Sequence, residues 1–280
     1  MNWKSTDRLG RRLVRLPLSI ARRVARVAMK HGGVASATAT ANPISSPSVD
    51  PADNTADPRN IFINRVAKGK SFIDIGGLSE VVHERVSVAH AAGARDLALM
   101  DVEGPSCPWW PQVRERLTSR GVGECKFISG DIMTSEVSTY DIVYSSGVLY
   151  HLPAPIPYLA RLRQMTREYC ILTSTTIPTR LTVDREELHF PSASTLVVPA
   201  LAGRERQLVV EWFKRRGRDD VTYTEMDFGG LRNLTNYYPN WFIPTVAAFK
   251  AMATCAGFEI VDEGPVEPDD LSYCLLLRPN

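Results

Sequence analysis

The stretch YDIVYSSGVLYHLP, residues 140–153, begins as a short apolar run and ends in a small, polar and aromatic turn. The run reads as a buried strand closed by Ser145, Ser146 and Gly147. Such a strand leaves Tyr150 and His151 at its mouth. Which sheet it enters is decided by its neighbours in sequence.

Working outward, the chain alternates strand and helix patterns, the signature of a parallel sheet covered on both faces. Upstream, SFIDIGG (71–77) is an apolar strand ending in glycines, and LSEVVHERVSVAHAAGA (78–94) reads as a helix closed by Gly93. DLALMD (96–101) is a second strand, WWPQVRERLTSR (109–120) a helix and CKFISGD (125–131) a third strand. Downstream, IPYLARLRQMTRE (156–168) spaces Ile156, Leu159, Leu162 and Met165 as one helical face before the strand YCILTST (169–175). After residues 177–243 break the rhythm, PTVAAFKAMATCAGF (244–258) is a helix, and EIVDEG and SYCLLLRP are two strands. The short loop between those two requires antiparallel pairing, because a parallel return needs about a dozen residues or more. The expected fold is α/β and Rossmann-like: seven mostly parallel strands, the last antiparallel, helices on both faces and an insertion after strand 5.

Composition bounds the rest. A chain of 280 residues, 44% apolar and 23% charged, is long enough for one large domain with an insertion. Five cysteines without a CxxC pair suggest neither a zinc site nor a disulfide framework, and read as small hydrophobes in a reducing cytosol. No metal is expected. The first thirty residues hold nine Lys or Arg against Asp7 alone, a net of +8, while residues 31–280 carry 24 basic and 30 acidic residues. Leu9, Leu13, Leu16, Ile20, Val24 and Val27 give residues 1–30 an apolar face if helical, suited to an anionic membrane surface, RNA or a transit function. Residues 31–58, rich in Ala, Ser, Thr and Pro, read as a flexible linker, which leaves 59–280 as the folded domain. The expected location is cytoplasmic, with peripheral membrane contact through residues 1–30.

Sheets of this kind bind ligands at the carboxyl ends of their strands. Here Asp74 with Gly76 and Gly77, then Asp101, then Asp131, then Ser145 and Ser146 stand at four successive strand ends. Glycines let backbone approach a ligand, and an acid after the second strand accepts hydrogen bonds from ribose hydroxyls. The loop DIGGLSEVVHE has neither the G-x-G-x-x-G of a dinucleotide site nor the Lys-Ser/Thr of a P-loop. A cofactor with adenosine and no phosphate fits these residues best.

FIDIGG, LALMD, ISGDI and YDIVYSSGVLYHLP, in this order and spacing, resemble the four motifs of class I S-adenosylmethionine-dependent methyltransferases over residues 60–280. The resemblance implies S-adenosyl-L-methionine as cofactor, with Asp74, Gly76 and Gly77 beside the methionine part and Asp101 on the ribose. It implies Asp131 and Ile132 around the adenine, and Ser145 and Ser146 where the methyl leaves. The family commonly has a further glycine where Leu78, Ser79 and Glu80 stand. GVLYHLPAP and NWFIPTVAAFKAMATCAGFE are similar to the tRNA wobble-uridine carboxymethyltransferases and their small-molecule relatives, but the basic residue expected before F-I-P is missing. Ordinary S-adenosylmethionine and a small-molecule or glycan acceptor are therefore the main expectation, with nucleic acid disfavoured by the acidic balance of residues 31–280.

Methyl transfer asks the protein to position an acceptor and remove its proton. His151 is the candidate base and Tyr150 a candidate orienting group, the alternative for each being a loop residue held for packing. The insertion 177–243, with Tyr223, Tyr237, Tyr238, Trp241 and Phe242, is the expected acceptor side. Trp109 and Trp110 are either adenine walls or core. A tRNA-modifying enzyme, a nicotinamide-dependent oxidoreductase and a non-catalytic cofactor-binding scaffold remain the alternatives.

Overall fold

In the computed structural model, which describes residues 50–78, 81–136, 138–218 and 240–280, the chain folds around a central seven-stranded sheet. The basic segment 1–30, the linker as far as residue 49 and the aromatic run Tyr223–Tyr238 lie outside the described residues. In chain order the first elements are α1 (Pro58–Val66), β1 (Ser71–Ile75), α2 (Val86–Ala91), β2 (Arg95–Asp101), α3 (Trp109–Ser119), β3 (Lys126–Ser129) and β4 (Tyr140–Ser146). There follow α4 (Pro155–Met165), β5 (Thr166–Thr175), β6 (Arg180–Val183), β7 (Glu186–His189), β8 (Thr195–Val197) and α5 (Gly203–Lys214). The last are β9 (Phe242–Pro244), α6 (Val246–Cys255), β10 (Phe258–Pro265) and β11 (Ser272–Pro279).

All five residues of β1 are buried, as a strand with neighbours on both edges and helices on both faces must be. The sheet order is β3-β2-β1-β4-β5-β11-β10, and β11 runs antiparallel to both β5 and β10. The seven-stranded Rossmann-like fold with its last strand reversed is thus as expected. Strand order reverses between β1 and β4, which opens a crevice at their carboxyl ends. Alternation on β1 sends Phe72 into a core with Ile63, Val113 and Leu117, and Ile73 and Ile75 into a second core with Tyr158, Leu162 and Phe249. A third apolar cluster, built on Leu181, Leu196, Trp212 and Ile243, holds the insertion together.

Four details differ from the sequence reading. The helix expected over 78–94 is confined to α2, because Glu84 accepts hydrogen bonds from the Ser87 amide (2.9 Å) and hydroxyl (2.7 Å), and Asp74 takes the Arg85 amide (2.8 Å). The helix after β4 ends at Met165, so Thr166–Glu168 open β5, and Ile156 is exposed rather than on the buried face. The insertion also carries two small antiparallel pairs that its composition did not announce. One is a hairpin of β6 and β7, turning at Asp184 with φ 56°, and the other pairs β8 with β9.

The fourth difference concerns the linker. From Asp50 onward it is bound to the domain: Asp50 takes a two-pronged contact from Arg116 at 2.8 Å, and Asp53 one from Arg120 at 2.9 Å. The Asn60 side chain donates to Pro51 and Asn54 carbonyls (2.8 and 2.9 Å), and Asp57 caps α1 through the Arg59 amide (2.9 Å). Acidic residues in a Pro- and Ala-rich stretch look solvated until their arginine partners are located. Among the described residues no helix is long and apolar enough to cross a membrane.

Candidate active site

A cleft of about 740 Å³ lies over the carboxyl ends of β1, β2, β4 and β5. Its floor begins at the turn after β1. Gly76 adopts φ 84°, and a Cβ there would stand 2.4 Å from Val148 Cγ2. A Cβ on Gly77 would stand 2.5 Å from an Asp74 carboxylate oxygen. Both positions exclude a side chain, so bare backbone faces the cleft where the chain comes nearest to Asp74.

Asp74 is 1% exposed, with Oδ2 accepting the Arg85 amide and Oδ1 without a hydrogen-bond partner among the described residues. Burial, aided by the charge of Glu84, pushes its carboxyl up to about 7 against the pull of the Arg85 amide. Asp101 is also buried, which raises its pKa, and each of its oxygens already accepts one amide: Leu78 on Oδ2 and Glu103 on Oδ1, both at 3.1 Å. A carboxylate has about four lone-pair sites, so each oxygen keeps room for one more donor. Asp101 therefore ties the glycine turn to β2 and still lines the cleft.

The other sequence-selected residues divide. Ser146, Tyr150, His151 and Ile132 line the cleft beside Asp74, Gly76, Gly77 and Asp101. Tyr150 and His151 sit in the single turn Leu149–His151, their rings 4.4 Å apart and tilted by 55°. Ser145 does not line it: fully buried, its hydroxyl meets Tyr158 of α4 at 2.6 Å, because successive residues of β4 face opposite sides of the sheet. Asp131 is likewise outside the wall, its Oδ1 accepting the Met133 amide at 2.8 Å in a turn that carries Ile132 inward. Trp109 lines the cleft, whereas Trp110 is core, donating to the Gly104 carbonyl at 3.0 Å and edge-on to Phe127. Trp241 and Phe242, expected at the acceptor side, are not in the wall.

Several wall residues were not singled out from the sequence. Arg59 reaches the cleft from α1, His83 from the turn before α2, and Glu103 from the end of β2. Thr173, Ser174 and Thr175 close β5, facing Ser272 at the start of β11. The run TSTT at a strand end was a usable signal for them, since polar residues in a buried strand need a reason. Burial works against the Arg59 charge, but the Asp57 carboxylate, reached at 2.6 Å, more than compensates and raises its pKa.

The fold and this cleft define a Rossmann-like α/β protein with two buried carboxylates at its topological switch point. No family model and no curated protein matches the chain. Among solved structures it is similar to the magnesium protoporphyrin IX methyltransferase ChlM of Synechocystis PCC 6803 with bound SAH, at 16% identity and TM-score 0.49, over 80% of this chain and 82% of that one. A similar likeness holds for the 1,6-didemethyltoxoflavin-N1-methyltransferase of Burkholderia thailandensis, at 14% identity and TM-score 0.47, over 82% and 79% of the two chains. For the mitomycin 7-O-methyltransferase MmcR the figures are 15% and 0.48, with 80% of this chain matching 54% of that one.

Proposed function

We propose that the chain is an S-adenosylmethionine-dependent methyltransferase acting on an oxygen or nitrogen of a small-molecule or glycan acceptor. The observation that carries this is the pair Asp74 and Asp101 flanking a bare Gly76–Gly77 turn in one cleft. Asp74, beside the glycine turn where a dinucleotide places its pyrophosphate, disfavours that anion and favours a cationic adenosine derivative, while Asp101 serves the ribose. The residues fit that group: Asp74 Oδ1, without a partner among the described residues, suits an ammonium, and the open lone pairs of Asp101 suit two ribose hydroxyls. Ile132 and Trp109 supply apolar surface for a base.

When bound, the cofactor, its ammonium held by Asp74 and its ribose by Asp101, would supply an activated methyl group to the acceptor, which would give up a proton. His151 takes that proton on a ring nitrogen and passes it to solvent, while Tyr150 orients the acceptor beside it. The tRNA reading has less support, since Asn240 and Trp241 stand where that family carries a basic residue near F-I-P. Residues 1–30 serve as a separate basic segment that touches an anionic membrane surface, with the domain itself in the cytoplasm.

Calorimetry with S-adenosylhomocysteine tests the cofactor. Asp101→Ala is expected to weaken its binding at least about tenfold, since a charge-assisted hydrogen bond is worth about 1.5–3 kcal/mol. The variant also frees the Leu78 amide, so its melting temperature is measured alongside. Wild-type affinity in a folded Asp101→Ala would remove the ribose assignment.

The Asp74 carboxyl gives a pH signature. Its folded value, about 7, lies above the 3.8 of an ordinary aspartate, so the stability it contributes without ligand is full below about 4 and is lost as pH rises through about 7. A ligand ammonium pairs only with the ionised form. S-adenosylhomocysteine affinity is therefore expected to rise nearly tenfold from pH 6 to pH 8, and adenosine affinity to stay flat. Equal pH dependence for the two ligands would place the ammonium elsewhere.

A further inference from the structure

The cleft wall divides by chemistry along the sheet. At the ends of β1, β2 and β3 its members include Ile75, Met100, Val102 and Ile132. At the ends of β5 and β11 they include Thr173, Ser174, Thr175 and Ser272, each 8% exposed or less, and the wall also holds Asn240 and the Arg218–Glu267 ion pair. Strands lie about 4.8 Å apart, so β5 is about 10 Å and β11 about 14 Å from the glycine turn after β1. This hydroxyl-rich end therefore lies on the acceptor's side of the reacting centre.

The Thr173 hydroxyl makes its need for a ligand specific. It is enclosed, and its partner among the described residues is the weakly bonding Cys274 thiol, which leaves most of its donor and acceptor capacity to a ligand. Leaving a buried hydroxyl poorly satisfied is costly, and a polar ligand removes the cost. No described aromatic ring of the insertion lines this end to stack on a flat acceptor; Trp241 and Phe242 lie off the wall.

Resting on the methyltransferase reading, we infer that the acceptor is a polyhydroxylated sugar ring, its hydroxyls paired with Thr173, Thr175 and Ser272. Hydroxyl side chains both donate and accept, as ring hydroxyls do, and a sugar ring carries enough hydroxyls to meet all three at once, more than the few polar edge groups of a planar aromatic acceptor. A site built to bond a substrate hydroxyl discriminates strongly against analogues lacking it. The ring arrives either as a simple glycoside or as the glycosyl part of a nucleotide sugar.

The test uses the full chain loaded with S-adenosylhomocysteine. Methyl hexopyranosides, methyl 6-deoxyhexopyranosides and nucleoside-diphosphate hexoses are titrated by calorimetry, beside catechol, a flavin and protoporphyrin. At least one sugar is expected to bind, the preference between simple and nucleotide-linked forms identifying its source. Thr173→Val and Thr175→Val should each weaken that sugar roughly three- to tenfold, with S-adenosylhomocysteine affinity unchanged. The melting temperature of Thr173→Val should change little, because only a weak bond to the Cys274 thiol is lost. Binding and methylation of a planar acceptor in place of any sugar would overturn the inference, as would unaltered sugar affinity in both variants. Failure of S-adenosylhomocysteine to bind overturns the cofactor reading and this inference together; cofactor binding without sugar recognition overturns this one alone.

Discussion

Replacing His151 by Ala is expected to lower turnover by about 10²–10⁴-fold while S-adenosylhomocysteine affinity stays within a few-fold, because the proposed role of the imidazole is on the acceptor and not on the cofactor. His151 is in the cleft wall, in the same turn as Tyr150 and adjoining the end of β4. That turn is fixed from both sides: the His151 amide donates to the Val148 carbonyl at 3.0 Å, and the Trp241 amide to the Tyr150 carbonyl at 2.7 Å. A side chain on a turn held this way is pre-positioned, which a general base requires. His151→Asn separates catalysis from support, since an amide keeps hydrogen bonds but accepts no proton at neutral pH. With S-adenosylmethionine saturating at every pH, so that Asp74 does not contribute, the wild-type rate should fall on the acid side and that limb should vanish in both variants. Activity regained in His151→Asn would make the residue structural, and loss of cofactor binding in both would assign the turn to the cofactor.

The strand-end acids were legible because parallel sheets repeat one geometry: Asp74 and Asp101 each close a strand, and both face the cleft. Ser145 was legible too, had the two-residue period of β4 been applied. Ser146 shares the Tyr144 face and lines the cleft, so Ser145 must point to α4. Asp131 was misplaced for a local reason, its side chain satisfying the next turn before any ligand can. Arg59 and the residues before it could not be read from any nearby pattern. Beyond the local Asp57–Arg59 pair, their partners are set by tertiary structure, Arg116 lying 66 residues from Asp50 and Arg85 lying 28 from Asp57.

Those distant pairs lead to the largest stability effect expected in the chain. Asp57 is 3% exposed at its side chain, and it faces two arginines, Arg59 at 2.6 Å and the fully enclosed Arg85 at 3.4 Å. Burial alone would raise the Asp57 carboxyl, yet the Arg59 hydrogen bonds and both positive charges overcome it and hold the pKa below the usual range. Its stabilisation is thus present above the unfolded-state value and is lost as pH falls through the folded one, below about 4. Asp57→Ala removes the helix cap and leaves the Arg85 guanidinium, among the described residues, with only the His83 and Glu84 carbonyls, at 3.0 and 3.2 Å. Breaking such a buried pair costs about 3–5 kcal/mol, which for a domain of this size lowers the melting temperature by roughly 6–20 °C. Because the Arg85 amide also holds Asp74, the same variant should weaken S-adenosylhomocysteine binding. Truncation sharpens the comparison: a chain starting at Asp50 keeps the Arg116, Arg120 and Arg85 contacts, whereas one starting at Arg59 loses all three. The first should melt close to the full chain and the second far below it. Equal melting of the two would mean that residues 50–58 rest on the domain without stabilising it.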